Sequence, residues 1–366
     1  MIGLAVIGLG NALVPHARAL ADLSDRCRVV WAVAREPLHL EAIGAEHRWT
    51  VTTDLGRAVR DNSVDAVMIL THPDTHRAIA EQAFAAGKHV LCEKPLAASV
   101  AEAAALVAAG RSADRRLGVV LQMRVRPGVR RLRAALGAGE LGEVQAASMA
   151  VPWWRPQAYY DQPGRGTRAQ DGGGVLMTQA IHTLDLFHWL LPVREVVAAL
   201  TRTTALHRME TEDWAAALLR LENGAPATLS ASTASYPGSG EVIEVIGTNG
   251  TARLASDGLR LSFLDGRTEA VPEDGGSGSG ANVMAFSHAG HRTVLADFLD
   301  AIEQERDPLV TGEAALATQR LIEAILAKAQ SRRRRMASTE DGRVGGKVAI
   351  VTGAGSRADG ISGAII

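Results

Sequence analysis

The chain has 366 residues, 47% of them hydrophobic and 22% charged, which is enough for two well-buried globular cores and ordinary for a soluble protein. A formal net charge of -1 leaves no electrostatic case for a nucleic acid or a membrane as partner. Two lone cysteines, Cys27 and Cys92, exclude a disulfide framework and fit a reducing, cytoplasmic setting.

The apolar start Met1–Leu9 has no basic leader and is broken by Gly3 and Gly8, so it is a first strand rather than a signal peptide. No apolar run reaches membrane-spanning length. Gly8-Leu9-Gly10 follows the strand, and a helix pattern with Ala17, Leu20 and Leu23 begins soon after. In that context Gly8 and Gly10 can bring the backbone close to a pyrophosphate on the helix N-terminus. Leu13 stands where a third glycine would, so the pattern equally describes any tight β–α turn. Arg28–Ala34 is the second strand. Its end carries Ala34 and Arg35 where an NAD site usually has an acid, which favours the 2′-phosphate of NADP. Arg35 is also compatible with a solvated surface arginine, and Glu36 with a contact to the ribose.

Trp49–Val51, Asp65–Leu70, Lys88–Cys92 and Leu117–Gln122 are further strands, alternating with alanine-rich helices. This predicts a parallel, doubly wound sheet with ligands beyond the strands' carboxyl ends. Thr71–His76 and Glu93-Lys94-Pro95 lie at such ends. A lysine desolvated in that crevice can exchange a proton with a substrate hydroxyl; as a surface lysine it would do neither. Arg124–Leu136 is expected to be a solvated helix face.

From Gly142 the pattern becomes β-rich, with strands over Val144–Val151, Glu195–Thr203, Trp214–Leu221, Ala227–Thr233, Glu241–Gly247, Thr251–Ala255 and Leu259–Leu264. Asn223-Gly224 and Asn249-Gly250 mark hairpins. A largely antiparallel open sheet is expected, closed by helices over His291–Ile302 and Glu313–Gln330. Trp153, Arg155, Tyr160 and Arg168 lie in an irregular stretch and suit a polyhydroxylated or carboxylated ligand, or a loop pinned by aromatics. In Asp171–Leu191, glycines precede a helix on which Thr178, His182 and Asp185, at i, i+4 and i+7, share one face. Glu273–Ala281 is a flexible loop by composition. No metal site is expected.

These motifs resemble the Gfo/Idh/MocA family of NAD(P)-dependent oxidoreductases over about residues 1–330, through GLGNALVPH at Gly8–His16, THPDTH at Thr71–His76, GKHVLCEKPLA at Gly87–Ala97 and GGGVLMTQAIHTLD at Gly172–Asp185. The resemblance implies a Rossmann domain (1–122), then a substrate-binding and oligomerisation α+β domain (123–330), and hydride transfer between NADP or NAD and a carbinol or carbonyl carbon of a sugar-like or cyclitol substrate. It implies a homo-oligomer, dimer or tetramer. It places Gly8, Gly10, Asn11, Ala34, Arg35, Thr71, Pro73, His76, Glu93 and Lys94 at the cofactor. It places Trp153, Arg155, Tyr160, Arg168, Thr178 and His182 at the substrate, with Lys94 and His182 catalytic. Many members have an aspartate where Thr178 stands. A glycosidase using transient oxidation and a cofactor-binding regulator are the competing readings. After Arg332–Arg335, the stretch Lys347–Gly355 resembles the opening strand and glycine loop of a short-chain dehydrogenase, cut off before a second strand. Residues 331–366 are therefore expected to be a disordered tail, dispensable for activity and assembly.

Overall fold

The structure is a computed structural model that describes residues 1–35, 40–273 and 287–340, with only the helical backbone over 332–340. Glu36, most of the loop after Glu273 and the short-chain-dehydrogenase-like stretch lie outside the described residues.

The first lobe is built on six strands: β1 (Ile2–Ile7), β2 (Cys27–Val33), β3 (Val51–Thr52), β4 (Ala66–Ile69), β5 (His89–Cys92) and β6 (Leu117–Val119). They are all parallel, in the order β3-β2-β1-β4-β5-β6. Every residue of β1 and β4 is buried, as expected for strands covered by helices on both faces. The intervening helices are α1 (Leu13–Asp22), α2 (Leu40–His47), α3 (Leu55–Arg60), α4 (Pro73–Ala85) and α5 (Val100–Ser112). Pro73 opens α4, where a missing N–H costs nothing, and the Ser99 hydroxyl caps α5 through the Glu102 N–H at 3.2 Å. The strand order reverses between β1 and β4, which makes the crevice beyond their carboxyl ends the place for a ligand.

A 3-10 turn (Gln122–Val125) and α6 (Pro127–Gly137) lead to the second lobe. Its strands are β7 (Val144–Pro152), β8 (Val193–Arg202), β9 (Trp214–Leu221), β10 (Pro226–Ser232), β11 (Val242–Gly247), β12 (Gly250–Ala255), β13 (Gly258–Phe263) and β14 (Thr268–Pro272). They form one sheet ordered β14-β13-β12-β11-β7-β10-β9-β8, antiparallel except for the parallel pair β7–β10. Burial alternates along β9 and β10, so one face is covered and the other open. The covered face packs on α6, α8 (Val175–Thr178), α9 (Ile181–Leu190) and part of α11 (Gly312–Glu340). A short α7 (Gln157–Tyr160) lies in the stretch before them.

Three expectations change. α10 (Ala289–Glu303), expected to close the second lobe, buries Val294, Leu295, Phe298 and Leu299 against Leu4, Met68 and Leu91 of the first sheet. The last helix does not end near Gln330 but runs to Glu340. The supposed single helix of Asp171–Leu191 is two, α8 and α9, separated at Gln179–Ala180.

Candidate active site

The crevice is a cavity of about 1640 Å³ that runs from the glycine turn after β1 to the front of α8 and α9. Gly8 has φ 98°, and a Cβ there would sit 2.8 Å from the Leu70 carbonyl carbon, so only glycine fits. Gly10 faces open space, with no atom within 4 Å of a built Cβ. The following α1 starts without a side-chain cap or an acidic residue in its first turn, leaving its positive end to an anion. Leu13, which stands in place of the third glycine, is buried in the first lobe's core, so it leaves the turn unobstructed. An open glycine turn, an uncapped helix and a long cavity beside them fit a dinucleotide.

Gly8, Gly10, Asn11, Ala34, Arg35, Thr71, Pro73, Glu93 and Lys94 all line this cavity. His76 does not. It is fully buried, with its ring nitrogens against the Thr71 carbonyl (3.0 Å) and the Leu96 carbonyl (3.3 Å), so it ties the two strand-end loops together and cannot touch a ligand. From the second lobe Trp153, Arg155, Thr178 and His182 reach the cavity. Arg168 stays outside it, exposed beside Glu210 at 3.4 Å. Tyr160 is also withdrawn, its hydroxyl 2.6 Å from that of Thr233; burial pushes its phenol pKa up. Its neighbour Tyr159 lines the cavity instead, with Arg155 and Arg165 guanidiniums 5.9 and 5.1 Å from its ring centre. The two tyrosines are adjacent at the end of a short helix, and no periodic signal says which faces in.

Lys94 and His182 line the same cavity, close enough for the lysine's charge to act on the imidazole. Lys94 follows β5, and its Nζ donates to the Thr178 carbonyl at 3.0 Å. Burial pushes its pKa below the usual lysine value, with Glu93 opposing. His182, on the first turn of α9, is buried, and its Nδ1 has no hydrogen-bond partner among the described residues. Burial, and then the charge of Lys94, hold its pKa well below the usual histidine value, so it is neutral at neutral pH. The Thr178 hydroxyl is turned to the Gly174 carbonyl (2.8 Å) and to the Gln179 side chain. Gln179 also donates to the Tyr159 hydroxyl at 3.2 Å.

Asp185 is not part of this face. It points the other way, accepting from Arg124 at 2.6 and 2.7 Å and from Thr318 at 2.8 Å, and so Arg124 is buried rather than solvated. Sequence reasoning also left out His16 and His291. With Glu93 they place three metal-capable groups within 4.8 Å, but the two carboxylate oxygens already accept N–H bonds, from His16 and from the Lys94 backbone. His16 lies on α1 eight residues past Gly8, and His291 lies 275 residues further on, in α10. Only the fold brings them together.

The oxidoreductase family with an NAD-binding Rossmann fold matches residues 2–121, and the GFO/IDH/MocA C-terminal domain matches residues 129–253. The chain is 30% identical over 271 residues to 1,5-anhydro-D-fructose reductase of Ensifer adhaerens, covering 71% of this chain and 76% of the relative. It is 30% identical over 277 residues to inositol 2-dehydrogenase 2 of Paenarthrobacter aurescens strain TC1, covering 74% and 80%. Among solved structures, the WlbA dehydrogenase from Bordetella pertussis in complex with NADH and UDP-GlcNAcA superposes with a TM-score of 0.78 at 28% identity, covering 90% of this chain and 96% of that one. With the glycine turn, the EKP lysine and the α9 histidine converging on one cavity, these matches place the chain in the Gfo/Idh/MocA family of oxidoreductases, with the family's NAD-binding Rossmann fold.

Proposed function

We propose that the protein is a dehydrogenase or reductase acting on a carbinol or carbonyl carbon of a sugar-like or cyclitol substrate. The convergence of Lys94 and His182 in a cavity that begins at the glycine turn carries this reading. A nicotinamide supplies or takes the hydride when bound. Lys94, its ammonium destabilised by burial, exchanges a proton with the substrate oxygen. Neutral His182 offers that oxygen a hydrogen bond. Trp153, Tyr159 and the Arg155 guanidinium form the wall that would hold the ring and its hydroxyls. Relatives named for reductase and dehydrogenase activity on anhydrofructose and inositol support this substrate class.

The preferred cofactor is NADP(H). Arg35 is exposed at the end of β2 and lines the cavity, and Ala34 supplies no acid for the ribose. A charge-assisted contact to a 2′-phosphate is worth about 1.5–3 kcal/mol, so Arg35→Ala should weaken NADP(H) binding about tenfold to a hundredfold and leave NAD(H) nearly unchanged. Equal or tighter NAD(H) binding by the native protein refutes this choice.

The open face of the second sheet supports self-association. Register places Leu200, Leu218 and Ile246 on one side, 44%, 42% and 52% exposed, apolar points on a face that a second copy would cover. The deciding experiment is a panel of sugars, sugar acids and inositols with both cofactors, followed at the nicotinamide absorbance. Net absorbance change supports the dehydrogenase. Release of free sugar without it indicates the transient-oxidation glycosidase.

A further inference from the structure

At the cavity wall, α1, the end of β5 and α10 bring His16, Glu93 and His291 together, with Glu93 and His291 lining the cavity and His16 buried beside them. The His16 Nε2 faces the Glu93 Oε1 at 2.7 Å. A carboxylate oxygen only accepts, so this nitrogen carries the proton. The other oxygen, Oε2, accepts the backbone N–H of Lys94 at 3.0 Å. The His291 ring stands edge-on to His16 at 4.9 Å and closes the cluster. A buried carboxylate left without donors is costly; here two N–H groups fix both oxygens beside the lysine.

We propose that His16 is a positioning residue that acts through Glu93 to hold Lys94 in place and to balance its charge. The proposal rests on the reading of Lys94 as the proton-transfer group. Among the described residues, α8 and α9 turn no carboxylate toward Lys94: Asp185 is taken by Arg124, and Thr178 offers a carbonyl while its hydroxyl is turned away. Among the described residues, the charged and titratable groups around Lys94 are Glu93, Asp171, Arg155, Arg165, His182 and His291. Asp171 is shared with the Gly166 N–H at 2.8 Å and with Arg165 at 3.6 Å. Of these two carboxylates, Glu93 acts on the lysine's charge more strongly than Asp171 does. Burial alone would raise its pKa, but the His16 hydrogen bond and the surrounding positive charge hold it at about 2, ionised throughout the working range. Without His16, Glu93 keeps one donor and is less able to stay charged.

The test reads the protonation of Lys94 directly. The full chain, without ligand, is labelled with trace acetic anhydride across a pH series, and the fraction of Lys94 acetylated is measured by peptide mass spectrometry. An opposite charge within about 4–6 Å raises a lysine's pKa by about one to three pH units. Glu93→Gln should therefore lower the Lys94 labelling midpoint by about one pH unit or more. His16→Leu should move it the same way by less, and His16→Gln, whose amide N–H reaches about as far as Nε2, should restore it. Should His16→Leu not fold, His16→Asn, which draws the donor back from Glu93, replaces it. An unmoved midpoint in folded Glu93→Gln, or in the folded His16 variant, overturns the proposal. Labelling needs no substrate, so a silent substrate panel with shifted midpoints would sink the proposed activity and leave this assignment standing.

Discussion

Lys94 and His182 share one cavity in a setting that neither group would choose in water. Burial disfavours the lysine's charge, and that charge together with burial keeps the imidazole neutral. The pair thus has one proton more easily given up than usual and one neutral group able to orient an oxygen. A general acid or base contributes about a hundredfold to ten-thousandfold in rate. Lys94→Ala should lower kcat by at least about a hundredfold while cofactor affinity, measured by fluorescence titration, stays within about threefold. Near-native turnover would remove the lysine from the proton path. Which tyrosine enters the cavity, and that His76 is a brace and not a ligand group, depended on helix phase and loop packing, which no motif records.

At the scale of elements, the strands were legible because burial on two faces or on one leaves different patterns in the chain. β4 is apolar throughout, whereas β10 (PATLSAS) alternates apolar residues with hydroxyl-bearing ones. The strand expected at Trp49–Val51 appears later, as the two-residue β3, and β14 escaped notice because its residues alternate with neither face deeply buried. The break between α8 and α9 was invisible to periodicity, since Thr178 and His182 reach the cavity on either side of it. Asp185 carried the wrong expectation because its partner, Arg124, lies 61 residues earlier. Their side chains are 3% and 1% exposed, and breaking a buried pair from one side costs about 3–5 kcal/mol. Asp185→Ala should lose about that much stability in urea unfolding. Arg124→Leu combined with Asp185→Leu should recover part of it, because no lone charge is left inside. A neutral outcome for the single variant would show that water or Thr318 satisfies the arginine.

For the molecule as a whole, buried histidines set an acid limit. Burial holds His291 and His89 at about 4, against an ordinary 6.5, so unfolding lets them take up protons that the fold refuses. Their contribution is complete above about pH 6.5 and is lost as pH falls toward 4, because the unfolded chain binds more protons in that window. His291 alone should cost on the order of 2 kcal/mol by pH 5. The Tm should fall steadily between pH 7 and pH 4.5, and a flat profile over that range contradicts it. The 29 residues of α11 cross between the lobes. Ala315 and Leu316 lie in the first core, and Leu321, Ile322, Ile325 and Ala329 in the second. Gly312 lets the helix begin against Leu117, where a Cβ would lie 2.5 Å from that side chain. Gln319 donates to the Ala97 carbonyl at 2.8 Å, and Thr318 to Asp185 at the same distance. One rod pinned in both cores acts as an axle: the mouth of the cavity cannot widen by the lobes swinging apart without bending that rod or tearing out its pins. The spacing between the glycine turn and the wall that carries Lys94 and His182 is then set by the fold itself.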